Sequence, residues 1–203
     1  MVDLVMEKDH MEKLYKSKNP LVKMVSVGRL DKIVDLLPQD KKIKILDAGC
    51  GEGQLLLKIF ERGYKNIYGV DITKIAIKQA EKRVKANFSL QNLENLNYEN
   101  EKFDVVICTE VIEHIENYEK VLQELKRILK KNGLLIITFP NEPLCVVMRI
   151  IFLRRPIPKD HVSFFSVRKM KKLVNLNLKE KINLPYKNFP DMLSLIHLLV
   201  FSK

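Results

Sequence analysis

Apolar residues fall along this chain in two alternating rhythms. Short, nearly continuous runs at residues 43–47, 66–71, 88–91, 104–108 and 134–139 have the length and β-branched content of buried strands. Between them lie segments of helical spacing, about 54–62, 74–85 and 118–129. Gly63 stands where the first helix should be capped, and Asn132-Gly133 where the last should end. Strands and helices that alternate in this way through residue 142 predict right-handed crossovers and a parallel sheet. Ahead of them, residues 1–37 read as helical, divided at Pro20 and stopped by Pro38. Behind them, residues 141–160 hold three prolines and the apolar stretch 145–153, and read as an insertion over the C-terminal edge of the sheet. A helix capped by Ser166 over 166–176 and two strands at 179–184 and 195–202 would complete the chain.

The first strand runs into Asp47-Ala48-Gly49-Cys50-Gly51-Glu52-Gly53. Glycines at such a strand-to-helix turn permit positive φ and leave room for a ligand where a Cβ would collide. The helix that follows offers unpaired N–H groups at its start. The spacing departs from the dinucleotide pattern G-x-G-x-x-G, because the third glycine comes one residue early. A P-loop is excluded, since neither lysine nor hydroxyl follows Gly53. The second strand ends in Asp71, about twenty residues on, where a carboxylate suits the two hydroxyls of a ribose. Thr73 is expected to cap the next helix, which would leave Asp71 free for that role.

Further segments follow in a fixed order: Asn92-Leu93-Glu94-Asn95-Leu96, then Phe103 to Cys108, then Glu110-Val111-Ile112-Glu113-His114, then Leu125 to Gly133, then Phe139-Pro140-Asn141. With the glycine turn and Asp71, this series over about residues 43–142 resembles the class I S-adenosylmethionine-dependent methyltransferases, in particular the ubiquinone-biosynthesis O-methyltransferase group. The resemblance implies an α/β, Rossmann-like fold with a mostly parallel seven-stranded sheet and helices on both faces. It implies one domain over 1–203: a helical lid or flank at 1–40, a cofactor-binding core at 41–140, an insertion at 141–165, and a C-terminal helix and antiparallel strand pair at 166–203.

The resemblance also implies the ligand, S-adenosylmethionine, with S-adenosylhomocysteine as product. Asp47, Gly49, Cys50 and Gly51 would lie along its methionine part, and Asp71 with neighbouring Ile72 at the ribose. Asn92, where relatives often carry Asp, and Leu93 would meet the adenine. The carbonyl of Cys108 or Thr109 would meet the ammonium. Arg29, about twenty residues before the turn, corresponds to an arginine that faces the cofactor carboxylate, a task its fork suits; the alternative is an exposed helix arginine. His114 and His161 are the candidate proton acceptors for an oxygen nucleophile. Glu110, Glu113, His114 and His161 also have metal-ligand spacing, as in small-RNA 2′-O-methyltransferases, but many metal-free relatives share E-x-x-E-H and no metal is expected here.

Composition adds bounds. A length of 203 residues suits a single domain with an ample core. The charged N-terminus lacks the apolar region of a signal peptide, and no apolar run reaches the roughly 18 residues of a membrane span. Three irregularly spaced cysteines argue for a reducing compartment, hence the cytoplasm, and a catalytic thiol is not expected. The net charge of +11 makes nucleic acid or an anionic membrane surface partners to weigh beside a small-molecule acceptor. Three functions follow: O-methylation of a small apolar molecule, RNA 2′-O-methylation, and non-catalytic S-adenosylmethionine binding. Leu144, Val146, Val147, Ile150 and Phe152 favour an apolar acceptor, or are core. Oligomeric state is open.

Overall fold

A computed structural model describes residues 20–151, 161–185 and 190–203. In chain order it contains α1 (Pro20–Asp35), β1 (Ile45–Ala48), α2 (Gln54–Glu61), β2 (Ile67–Asp71), α3 (Lys74–Arg83) and β3 (Asn87–Leu90). There follow β4 (Phe103–Thr109), a 3₁₀ turn (Ile112–His114), α4 (Tyr118–Ile128), β5 (Leu129–Pro140), α5 (Glu142–Ile151), α6 (Val167–Val174), β6 (Asn177–Leu184), a second 3₁₀ turn (Asp191–Leu193) and β7 (Ile196–Ser202). The expected first helical piece and residues 152–160 of the expected insertion lie outside the described residues.

The seven strands form one sheet in the order β3-β2-β1-β4-β5-β7-β6. Strands β1 to β5 are parallel, and β7 runs antiparallel to both β5 and β6. The expected fold class is therefore observed. Both faces are covered, which is why the strands read as continuous apolar runs. In β4, Val105 and Ile107 join the core under α1, α2 and α3, while Val106 and Cys108 join the core under α4 and α6. The strand order changes direction between β1 and β4, the switch point beside which open α/β sheets place their ligands, at the C-terminal ends of the strands.

Two boundaries differ from the sequence reading. The last strand of the parallel set begins at Leu129, directly after α4, and not at residue 134. Phe103 pairs with Leu129, and the register then shifts so that Val105 pairs with Leu134. The extra residues bulge out, with Asn132 at φ 64° and its N–H donating to the Lys203 carbonyl (2.9 Å). A bulge looks like a turn in sequence because both use Asn-Gly. The apolar stretch after residue 141 is α5. Its start is tied to the second 3₁₀ turn, as the Asn141 amide donates to the carbonyls of Asp191 and Ser194 (both 2.8 Å). The Ser166 cap forms as expected, its hydroxyl accepting from the Lys169 N–H (3.1 Å).

Candidate active site

Two backbone N–H groups of the glycine turn, those of Gly49 and Cys50, donate to the Val70 carbonyl (2.8 and 2.9 Å). Gly49 (φ 83°) and Gly51 (φ 50°) sit in the left-handed region. A Cβ on Gly49 would stand 2.4 Å from Val111 Cγ2. Thus the turn is folded back on the end of β2 and roofed by the segment after β4, a shape only glycine permits at position 49.

Asp71 closes this arrangement. Its Oδ2 accepts from the Gly51 N–H (2.9 Å) and its Oδ1 from the Thr73 N–H (2.8 Å). Thr73 is the N-cap of α3 by position, but its side chain makes no capping bond. The expectation that Thr73 caps and frees Asp71 is corrected: the hydroxyl makes no cap bond, and the Asp71 carboxylate is engaged by the N–H groups of Gly51 and of Thr73 itself. Each carboxylate oxygen has two lone pairs, so capacity for hydroxyl donors is left.

Arg29 is buried, 6% exposed, which overturns the exposed-helix alternative. Its Nη1 lies 3.4 Å from Glu110 Oε2, joining α1 to the end of β4. Glu110 itself adopts φ 54°, a conformation costing a non-glycine residue roughly 1–3 kcal/mol. Thr138 helps hold it there, donating from Oγ1 to Glu110 Oε1 (2.9 Å) and from its own carbonyl accepting the Glu110 N–H (3.3 Å). The Thr109 and Thr138 hydroxyls are 2.9 Å apart.

Three buried side-chain atoms have no hydrogen-bond partner among the described residues: Arg29 Nε, Asp47 Oδ1 and Glu113 Oε2. Burial first, then the charge of Asp71, raises the Asp47 carboxyl from 3.8 to about 7, with Arg29 opposing. Burial and neighbouring Glu110 likewise raise Glu113, again with Arg29 opposing. Unpartnered buried polar atoms are rare, and the grouping of these around Arg29 makes the strand ends a candidate place for a polar ligand. Burial also pushes the Cys50 and Cys108 thiols far up, which removes thiolate chemistry from the site.

A second grouping adjoins the first. The N–H groups of Val162 and Ser163 donate to the Glu113 carbonyl (2.9 and 3.0 Å), pinning that segment on the 3₁₀ turn after β4. The rings of His114 and His161 meet edge to face with centroids 4.8 Å apart. His161 Nδ1 is 2.5 Å from Glu142 Oε1, on a carboxylate that is itself buried. Glu113, His114 and His161 each offer one donor atom, all within 4.8 Å of one another, so the trio could accommodate a cation.

Of the other expected residues, Leu93 is buried, while Ile72 is 65% exposed beside Asp71. Asn92 is exposed, and its Oδ1 accepts from the Glu94 N–H (2.9 Å), leaving one lone pair for a further donor. Cys108 and Thr109 pair with Ile137 and Thr138 at the end of β4. Four residues outside the expected cofactor-binding and proton-acceptor sets also belong here. Glu142 and Thr138 carry no sequence signal, Val111 acts only through the space it fills, and Glu110 was visible as the first residue of E-x-x-E-H without its arginine.

A family model described as a methyltransferase domain matches residues 25–177, more than half of the chain, and the chain belongs to that family. The resemblance read from the ordered motifs is borne out. Among curated relatives, the ubiquinone biosynthesis O-methyltransferase of Rickettsia canadensis (strain McKiel) is 35% identical over 117 residues, covering 55% of this chain and 49% of that protein. The one of Rickettsia typhi (strain ATCC VR-144 / Wilmington) is 38% identical over 106 residues, covering 49% and 42%. The chain thus spans about half the length of the curated relatives it matches. Among solved structures, magnesium protoporphyrin IX methyltransferase from Synechocystis PCC 6803 with bound SAH has TM-score 0.73 at 21% identity, covering 96% of this chain and 93% of the other. The PH0226 protein of Pyrococcus horikoshii OT3 has TM-score 0.74 at 20% identity, covering 96% and 98%. These share the fold. No helix among the described residues is long and apolar enough to cross a membrane.

Proposed function

We propose that this chain transfers a methyl group from S-adenosylmethionine to an oxygen of a small, apolar acceptor. The observation that carries the reading is the meeting of the Gly49–Gly51 turn, Asp47, Asp71 and Arg29 at the strand ends, with buried polar atoms there left unpartnered. A nucleoside joined to an amino acid has the donors and acceptors that such a site lacks.

In this reading Asp71 holds the ribose hydroxyls with the lone pairs its two backbone partners leave unused. Arg29 receives the α-carboxylate. The turn backbone at Gly49, Cys50 and Gly51, with Asp47, lies along the methionine part, and the carbonyl of Cys108 or Thr109 faces the ammonium. Ile72 lies beside the ribose, Leu93 flanks the adenine, and Asn92 accepts from the adenine amino group. The bound donor supplies a methyl already activated on a sulfonium, so the chain's task is alignment and proton removal. Glu142 binds Nδ1 of His161, which orients Nε2 toward an acceptor hydroxyl, and His114 packs against that ring. Exposed Val147, Val162 and Phe164 support an apolar acceptor, as do the names of the curated relatives. Three free cysteines support the reducing cytoplasm.

The test is calorimetric titration with S-adenosylmethionine and S-adenosylhomocysteine, followed by labelled methyl transfer to phenolic acceptors of graded polarity. Failure to bind either nucleoside would sink the reading. RNA enters the same panel because of the +11 charge, and labelling of RNA alone would move the acceptor to that class.

A further inference from the structure

The ion pair between Arg29 and Glu110 makes poor use of both groups. A guanidinium can grip a carboxylate with two parallel N–H bonds, yet here one nitrogen approaches at 3.4 Å and the buried Nε has no partner. The pair is not needed to dock α1. Leu30, Ile33 and Val34 are sunk in the core, and Asp31 and Asp35 reach Lys58 on α2 (2.5 Å) and Arg62 at its C-terminal end (3.3 Å). Meanwhile Glu110 holds a strained φ of 54°, fixed by two bonds to Thr138. Strain kept in place by dedicated contacts at a crevice points to use rather than accident. The Glu110 side chain is 22% exposed against 7% for Arg29, so its outer side is open to an incoming group. The surroundings also want a cation: Asp47, Glu110 and Glu113 gather around one guanidinium.

We propose that Arg29 and Glu110 form a clamp for a zwitterionic amino acid. The ligand's α-carboxylate takes Arg29, its α-ammonium takes Glu110, and one loose ion pair is exchanged for two. The clamp rests on the S-adenosylmethionine reading and adds to it a side-chain carboxylate that selects donors with an intact amino-acid end. A ligand with only one of the two charges would open the pair and leave one partner buried and unmatched, so each charge is needed for the other to be worthwhile.

The experiment titrates three probes into the whole chain: S-adenosylhomocysteine, 5′-methylthioadenosine, which lacks the amino-acid end, and decarboxylated S-adenosylmethionine, which keeps the ammonium alone. Glu110→Gln should weaken S-adenosylhomocysteine about 10- to 100-fold, the range for one charged hydrogen bond, and leave 5′-methylthioadenosine within about twofold. The decarboxylated probe should be weakened by Glu110→Gln and not by Arg29→Gln. Thr138→Val, which only loosens the aim of Glu110, should weaken S-adenosylhomocysteine by less. Equal loss of all probes in Glu110→Gln, or unchanged binding of S-adenosylhomocysteine, overturns the clamp. If the unaltered chain binds none of the probes, the donor reading itself fails, which is a different result.

Discussion

Replacing Asp71 by Asn keeps the shape of the side chain and removes its charge, so it isolates what the carboxylate does. In the structure both oxygens accept backbone N–H groups, from Gly51 and Thr73. An amide can satisfy one of these through its oxygen, but its NH₂ then points at the other N–H, donor against donor. A charged hydrogen bond is worth about 1.5–3 kcal/mol, so the ligand-free protein should lose about 2 kcal/mol. For a domain of this size that lowers the melting temperature by about 4–8 °C. Ligand binding should suffer more, because the remaining lone pairs that would meet two ribose hydroxyls belong to the same carboxylate. Two such bonds together represent about a 100-fold loss or greater in S-adenosylhomocysteine affinity. Differential scanning calorimetry reads the first effect and isothermal titration the second. A variant that melts several degrees lower and yet binds S-adenosylhomocysteine with unchanged affinity would show that Asp71 only ties the glycine turn to α3, and the ribose assignment would be wrong.

Other outcomes follow from the same geometry. The Asp47 carboxyl is raised from 3.8 to about 7, so between those pH values the folded chain holds a proton that the unfolded chain has lost. Its contribution therefore falls as pH rises from about 4 to 7, by roughly 1.4 kcal/mol per pH unit at most. Asp47→Asn should flatten that slope and melt higher than the parent at pH 8; superimposable melting profiles would refute the assignment. Gly49→Ala places a methyl 2.4 Å from Val111 at φ 83°, so S-adenosylhomocysteine binding should vanish; adding Val111→Ala should restore only part of it, because the backbone strain stays, and full restoration would show that contact alone mattered. His161→Asn should lower kcat by about 10²–10⁴ with donor affinity intact, and His114→Asn, which removes a ring packed against His161, should lower it by less; full turnover in the His161 variant would exclude that ring as the proton acceptor.

Much of this protein is written in local spacing. The βα rhythm, the glycine turn, Asp71 about twenty residues on and the Ser166 cap are each set by neighbours in the chain, where periodicity and backbone conformation act directly. They suffice for the sheet and for the nucleoside end of the site. They do not contain the burial of Arg29, its pairing with Glu110, the contact of His161 with Glu142, or the three unpartnered atoms. Nor do they show that the Asp71 carboxylate is engaged by the N–H groups of Gly51 and Thr73, or that β5 begins before its bulge. Those features depend on which distant segments the sheet order brings together, and on the desolvation that packing imposes on their charges. The proposed donor site was legible in sequence because its residues lie on consecutive strand ends. The charge pattern around Arg29 was not, because it is a sum over α1, β1, β4 and β5 that exists only once the sheet has formed.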